Sequence, residues 1–130
     1  MTDQPTILVV DDDPAIRALI SLILQVNGYA TVEARDGIDA LALLEHTPSI
    51  GLMLLDLRMP RMNGLELLAE LRAKAKLDAL PVVAFSGDGN AGRDAIAAGA
   101  RACLLKPIEA ARLLEAVRDQ GVQPAAARPS

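Results

Sequence analysis

The chain has 130 residues, a formal net charge of −4 and 52% hydrophobic residues, yet only 2% of it is aromatic: one Phe, one Tyr and no Trp. That length points to one domain with a core of Leu, Ile, Val and Ala, and the lack of rings argues against single-stranded nucleic-acid binding by base stacking and against ring-lined sugar or peptide grooves. The acidic balance argues against a nonspecific DNA-backbone binder, a lone Cys103 fits a reducing cytoplasm, residues 1–5 do not resemble a signal peptide, and no apolar run approaches the ~20 residues of a membrane span.

In chain order, Thr6–Val10 is an apolar run that stops at Asp11, Asp12 and Asp13. Pro14 suits the first turn of a helix, Ile16, Leu19, Ile20, Ile23 and Leu24 recur at helical spacing, and Gly28 is a C-terminal stop. Ala30–Ala34 reads as a second strand. Asp36-Gly37 leads into a helix with Ile38, Leu41 and Leu44, which frays near residues 46–48. Residues 50–55 form a third strand closed by Asp56, Met59-Pro60 forces an extended turn, and Asn63-Gly64 opens a helix carrying Leu65, Leu68 and Leu71. Residues 81–85 read as the fourth strand, ending at Ser86-Gly87. An Ala-rich helix follows over roughly residues 91–98 and stops at Gly99. Ala102–Leu105 is the fifth strand, ending at Lys106-Pro107, and the last helix starts near Ile108 with Leu113, Leu114 and Val117.

Five apolar strands alternating with five helices imply an α/β fold with a parallel sheet covered on both faces. Right-handed crossovers make this a doubly wound, flavodoxin-like (βα)5 sandwich with strand order 2-1-3-4-5, since a closed barrel would need more units than the chain holds. Ligands of such sheets sit beyond the carboxyl ends of the strands. Those ends carry Asp11 and Asp12, Asp56, Ser86 and Lys106, and the switch point between the first and third strands makes the three carboxylates neighbours. Clustered carboxylates resist joint ionisation unless a cation compensates. Lys106 and a hard divalent ion are the two available, and an oxygen-only set suits Mg2+. Asp13, just before Pro14, reads as a helix cap.

The segments VVDDDPAIR, LLDLRMPRMNG, FSG and LLKP, in this order on these elements, resemble the response-regulator receiver domain of two-component signalling, from Thr6 to about Arg118. The resemblance implies that Asp56 accepts a phosphoryl group and that Asp12 ligates Mg2+ directly, with Asp11 acting largely through water. It implies that the Arg58 backbone carbonyl also binds the metal, that Ser86 bonds the phosphoryl group, and that Lys106 pairs with Asp56 and then with the phosphate. It also implies a cis peptide at Lys106-Pro107. The chain departs from the family pattern at Cys103, where Tyr or Phe is common, at Ile108, where Phe is frequent, and at Asn63, where Asp is frequent. Cys103 reads as a small buried hydrophobe at the switch position, with a redox-sensitive thiol as the functional alternative. Arg58 and Asp88 hold two positions that flank the phosphoryl site in the family, and either pair across it and restrict attacking water or stand as two solvated charges.

The resulting expectation is a receiver of residues 1–120 with a disordered tail or truncated linker at 121–130. It is cytoplasmic, and not an enzyme beyond its own phosphorylation and slow dephosphorylation. Its expected partners are a sensor histidine kinase or phosphotransfer protein and a downstream protein bound through the fourth helix, fifth strand and fifth helix. Neither direct nucleic-acid contact nor membrane insertion is expected, and the chain is expected to be a monomer or a weak phosphorylation-dependent dimer. Two rivals are a haloacid-dehalogenase-type phosphatase using Asp11 and Asp13, and an inert receiver-like interaction module. His46, the only histidine, reads as a loop residue without phosphotransfer function, and Lys74 and Lys76 as a solvated helix end.

Overall fold

A computed structural model describes residues 5–59 and 62–124. The expected turn at Pro60 and residues 125–130 of the expected tail lie outside the described residues, as do residues 1–4. The elements alternate as β1 (Thr6–Val10), α1 (Pro14–Val26), β2 (Ala30–Ala34), α2 (Gly37–His46), β3 (Ile50–Asp56), α3 (Gly64–Ala73), β4 (Val82–Ser86), α4 (Gly89–Ala97), β5 (Ala102–Leu105) and α5 (Ala110–Asp119). The five strands form one parallel sheet in the order β2-β1-β3-β4-β5, as expected. Among the described residues, no helix is long and apolar enough to cross a membrane.

The central strands β1, β3 and β4 read as apolar runs because successive side chains point to opposite faces and both faces are covered, whereas edge strand β2 carries an exposed Glu33. Ile7, Val9, Leu52, Leu54, Val83 and Phe85 face one layer, where Ile20 and Leu24 of α1 meet Leu113 and Val117 of α5. Leu8, Val10, Met53, Leu55, Val82 and Ala84 face the other, against Leu67, Leu68 and Leu71 of α3 and smaller residues of α2 and α4. Each fully buried aliphatic side chain contributes about 1.5–3 kcal/mol. The chain's single Phe and Tyr both lie in the α1–α5 layer.

Helix starts follow side-chain caps. Asp13 accepts from the Ala15 and Ile16 amides, Asp36 from Asp39, and Asp88 from Asn90. Asn63 and Glu66 form a reciprocal capping box at α3. Because Asp88 caps it, α4 begins at Gly89, ahead of the sequence expectation, and Glu109 in extended conformation delays α5 to Ala110. His46 is the exposed last residue of α2, not part of a loop. Packing also continues past the expected boundary at residue 120: Val122 is 3% exposed and its carbonyl accepts from the Tyr29 hydroxyl at 3.3 Å.

One irregularity interrupts the sheet. Thr6 pairs with Ile50, but Ile7 pairs with Leu52 and Val10 with Leu55, so Gly51 is an extra residue on β3. A Cβ on Gly51 would lie 2.7 Å from the Pro5 Cβ, and glycine leaves that space free.

Candidate functional site

Strand register gathers the polar residues. Since Val10 stands beside Leu55, the next residues, Asp11 and Asp56, are neighbours at the carboxyl edge. Asp56 pairs with Phe85, and Ser86 pairs with Leu105, so Ser86 and Lys106 close the same edge. Asp11, Asp12 and Asp56 each offer a carboxylate oxygen within 4.8 Å of the others. Asp11 and Asp56 are buried, whereas Asp12 is exposed.

Lys106 donates from Nζ to Asp56 Oδ1 at 3.0 Å, and the Arg58 amide donates to the same oxygen at 3.3 Å. The Asp13 amide donates to Asp11 Oδ1 at 2.9 Å, but buried Asp11 Oδ2 has no hydrogen-bond partner. Burial pushes the Asp11 carboxyl up to about 6, a rise the Asp13 amide opposes and the Asp56 carboxylate reinforces. An unpaired buried oxygen beside two further carboxylates is a ligand set in need of a cation. Its oxygen-only chemistry fits Mg2+ held by Asp11, Asp12 and Asp56.

The two ends of the segment that follows Asp56 are tied down. The Leu57 amide donates to the Phe85 carbonyl at 3.1 Å, and the Gly64 amide donates back to the Leu57 carbonyl at 3.2 Å. A Cβ on Gly64 would sit 2.7 Å from Leu57 Cα and 2.9 Å from the Asp56 carbonyl, so glycine is required for this closure. Arg17 supports the opposite side. Its Nη1 donates to the Asp11 carbonyl at 2.7 Å while its Nε holds Glu33 at 3.0 Å. Arg17 ends the segment VVDDDPAIR, but its hold on Glu33 has no local signal, because it depends on β2 lying beside β1.

Ser86 is buried, but its hydroxyl is engaged by the turn into α4. It donates to the Asp88 carbonyl at 2.7 Å and accepts from the Asp88 amide at 2.9 Å. The pairing of Arg58 with Asp88 is absent among the described residues: no hydrogen bond or ion pair joins them, and Asp88 Oδ1 caps α4. The Lys106-Pro107 peptide is cis, as the resemblance implied. Cys103 is half-buried, burial raises its thiol pKa, and α4 lies directly on it: a Cβ on Gly92 would be 2.9 Å from Cys103 Sγ. Beside the site, a largely apolar groove of about 500 Å³ runs between α1 and the start of α5, lined by Ile16, Leu19, Ile20, Ile23, Pro107 and Ile108 and also by Lys106.

Comparison with known proteins matches residues 7–118 to the response regulator receiver domain. Curated relatives include the "Regulator of RpoS" of Escherichia coli K12, 41% identical over 106 residues, which is 79% of this chain and 30% of that protein. The "Transcriptional regulatory protein GlrR" of the same strain is 34% identical over 123 residues, 92% of this chain and 27% of that protein. The chain thus spans less than a third of these relatives. Among solved structures, a response regulator receiver protein from Pseudomonas putida superposes with a TM-score of 0.82 at 33% identity, covering 92% of this chain and 99% of that one. The receiver domain of NtrX from Brucella abortus gives 0.81 at 36% identity, covering 88% and 96%.

Proposed function

The chain belongs to the response regulator receiver domain family, signalling modules rather than classical enzymes, and from that premise we propose that Asp56 is its phospho-acceptor. The observation that carries the reading is the ammonium of Lys106 held 3.0 Å from Asp56 Oδ1, within an acidic cluster whose Asp11 Oδ2 lacks a partner. In the transfer, an Asp56 oxygen forms a new bond to phosphorus as the bond from phosphorus to the donor breaks. The donor is a histidine imidazole, whose nitrogen leaves with the electron pair. Lys106 faces the charge that develops on the phosphoryl oxygens. Mg2+, when bound by Asp11, Asp12, Asp56 and the Arg58 carbonyl, supplies further neutralisation of that charge.

The product adds roughly −1.5 to −2 charge at Asp56. Ser86 then has a competing acceptor: its hydroxyl leaves the Asp88 carbonyl for the phosphoryl group, which releases the turn that caps α4. Because α4 rests on Cys103 through Gly92, displacement of the turn moves the α4–β5–α5 face toward or away from a downstream protein. The phosphodonor, a sensor histidine kinase or phosphotransfer protein, docks along the largely apolar groove that Lys106 helps to line. Arg58 tunes hydrolysis alone, without a bridge to Asp88. Residues 7–118 act as the receiver unit of a cytoplasmic signalling protein.

The phosphatase alternative is weaker, because Asp13 is committed to the Ala15 and Ile16 amides and is not poised as an acid–base. Incubation with radiolabelled acetyl phosphate and Mg2+ tests the assignment. Wild type takes up acid-labile label and Asp56→Asn takes up none, while undiminished labelling of Asp56→Asn removes Asp56 from its role. Mg2+ and beryllofluoride together are expected to shift the amide resonances of the β3–α3 and β4–α4 turns, which an inert module would not show.

A further inference from the structure

The loop from Asp56 to α3 is gripped from a third direction that neither the sheet nor α3 provides. The Gly37 amide, first in α2, donates to the Met62 carbonyl at 3.3 Å. The first amides of a helix have no partner within it, and this one is satisfied by the loop that follows the phospho-acceptor. Asp36 meanwhile accepts from Asp39, so the start of α2 is otherwise fixed.

Gly37 has a spatial reason to be glycine. It is not among the residues with positive φ. A Cβ there would lie 2.7 Å from Met62 Cγ, 2.9 Å from Met62 Cβ and 2.9 Å from the Met62 carbonyl oxygen. The carbonyl is backbone and cannot turn aside as a side chain can. Any side chain at 37 therefore pushes the loop off α2. Four residues before Met62, that loop carries Arg58, whose amide bonds Asp56 Oδ1. Leu57, tied to β4, and Gly64, tied back to Leu57, bracket the segment that carries both Arg58 and Met62.

We propose that Gly37 is a positioning residue for the acidic site: by admitting Met62 against α2, it sets where the loop presents the Arg58 backbone to Asp11, Asp12 and Asp56. The inference rests on the reading of that cluster as the Mg2+ and phosphoryl site. It gives α2, which contributes no ligand, a direct hold on cation affinity.

The test is titration of the full chain with Mg2+ alone, followed by calorimetry and by amide resonances. Gly37→Ala is compared with Gly99→Ala, where a Cβ meets Leu77 Cδ1 at 2.5 Å at the opposite end of the sheet and positive φ adds strain. Gly37→Ala is expected to raise the Mg2+ Kd about tenfold, as loss of a group that orients a ligand does, and to shift the Arg58 amide before metal is added. Gly99→Ala is expected to lose stability with Mg2+ affinity intact. A folded Gly37→Ala whose Kd rises no more than that of Gly99→Ala overturns the inference, leaving Gly37 a packing residue only. Should Gly37→Ala not fold, Gly37→Ala/Met62→Ala, which removes the nearest contact, is titrated with the same two outcomes. A wild-type chain that shows no response to Mg2+ overturns the reading of the cluster and the inference with it, and is told apart from failure of the inference alone because the latter leaves wild-type binding intact.

Discussion

Replacing Asp11 by Asn should stabilise the metal-free fold while weakening the site. Asp11 is 1% exposed, its Oδ1 accepts from Asp13, and its Oδ2 has no partner. The rise of its pKa from the ordinary 3.8 to about 6 corresponds to about 3 kcal/mol of cost when the group is ionised in the folded state. The folded state binds the proton more tightly than the unfolded chain. Stability is therefore greatest below the unfolded value, falls as pH climbs from 3.8 to about 6, and is level above it. Asn keeps the acceptor for Asp13 and removes the charge, at a cost of about 1–2 kcal/mol for an incompletely paired amide. The net gain expected at about pH 7.5 without divalent ions is about 1–2 kcal/mol, and most of it is gone at about pH 4.5, where wild type is largely protonated at this position. Urea unfolding at both pH values measures it. With Mg2+ at about 100 times its Kd, wild type gains about 2.7 kcal/mol that the variant largely forgoes, so the ranking reverses. An Asp11→Asn protein no more stable than wild type at neutral pH without metal would refute the claim that the site stores this cost.

Removing Lys106 strands a buried carboxylate. Lys106→Met is expected to lose about 1–2 kcal/mol in urea unfolding, less than a fully buried pair because the lysine side chain is 30% exposed against 4% for Asp56. Label transfer to Asp56 should fall with it. Gly64→Ala forces a Cβ against backbone atoms of Leu57 and Asp56. It should lose about 2 kcal/mol or more in thermal unfolding, with acyl-phosphate formation reduced beyond what the melting point explains.

Much of the site could be read from the chain because its signals are one-dimensional. Asp11, Asp56, Ser86 and Lys106 each follow an apolar run, and parallel strands of similar length bring such positions to one edge. The caps Asp13 and Asn63 were equally legible, since a cap bonds residues two or three positions away. What eluded the sequence depends on neighbours distant along the chain. Leu19 and Ile38 fall at core spacing, yet are 56% and 47% exposed, because periodicity marks a helical stripe and not what covers it. The two hydrogen bonds that tie the Ser86 hydroxyl to the Asp88 backbone, two residues on, carry no signal in the sequence. Asp88 Oδ1 caps α4, and among the described residues no ion pair joins Asp88 to Arg58. Tyr29 reaching Val122 across 93 residues has no local signature at all, which is why the packed chain extends beyond the boundary drawn from composition.

The extra residue at Gly51 has a consequence for how the two ends of the sheet relate. At the base, Thr6 is fastened to the turn before β3, its amide to the Ser49 carbonyl at 2.8 Å and its hydroxyl to the Ser49 hydroxyl at 3.1 Å. At the top, Asp11 stands beside Asp56. These two fastenings call for alignments that differ by one residue, and side chains change face with every residue, so no straight ladder satisfies both. Gly51 works as a vernier: it takes up one notch between a base fixed by its turn and a top fixed by its charges. Changes in the length of the α2–β3 turn can therefore be absorbed four or five residues below the carboxylates without altering which of them meet.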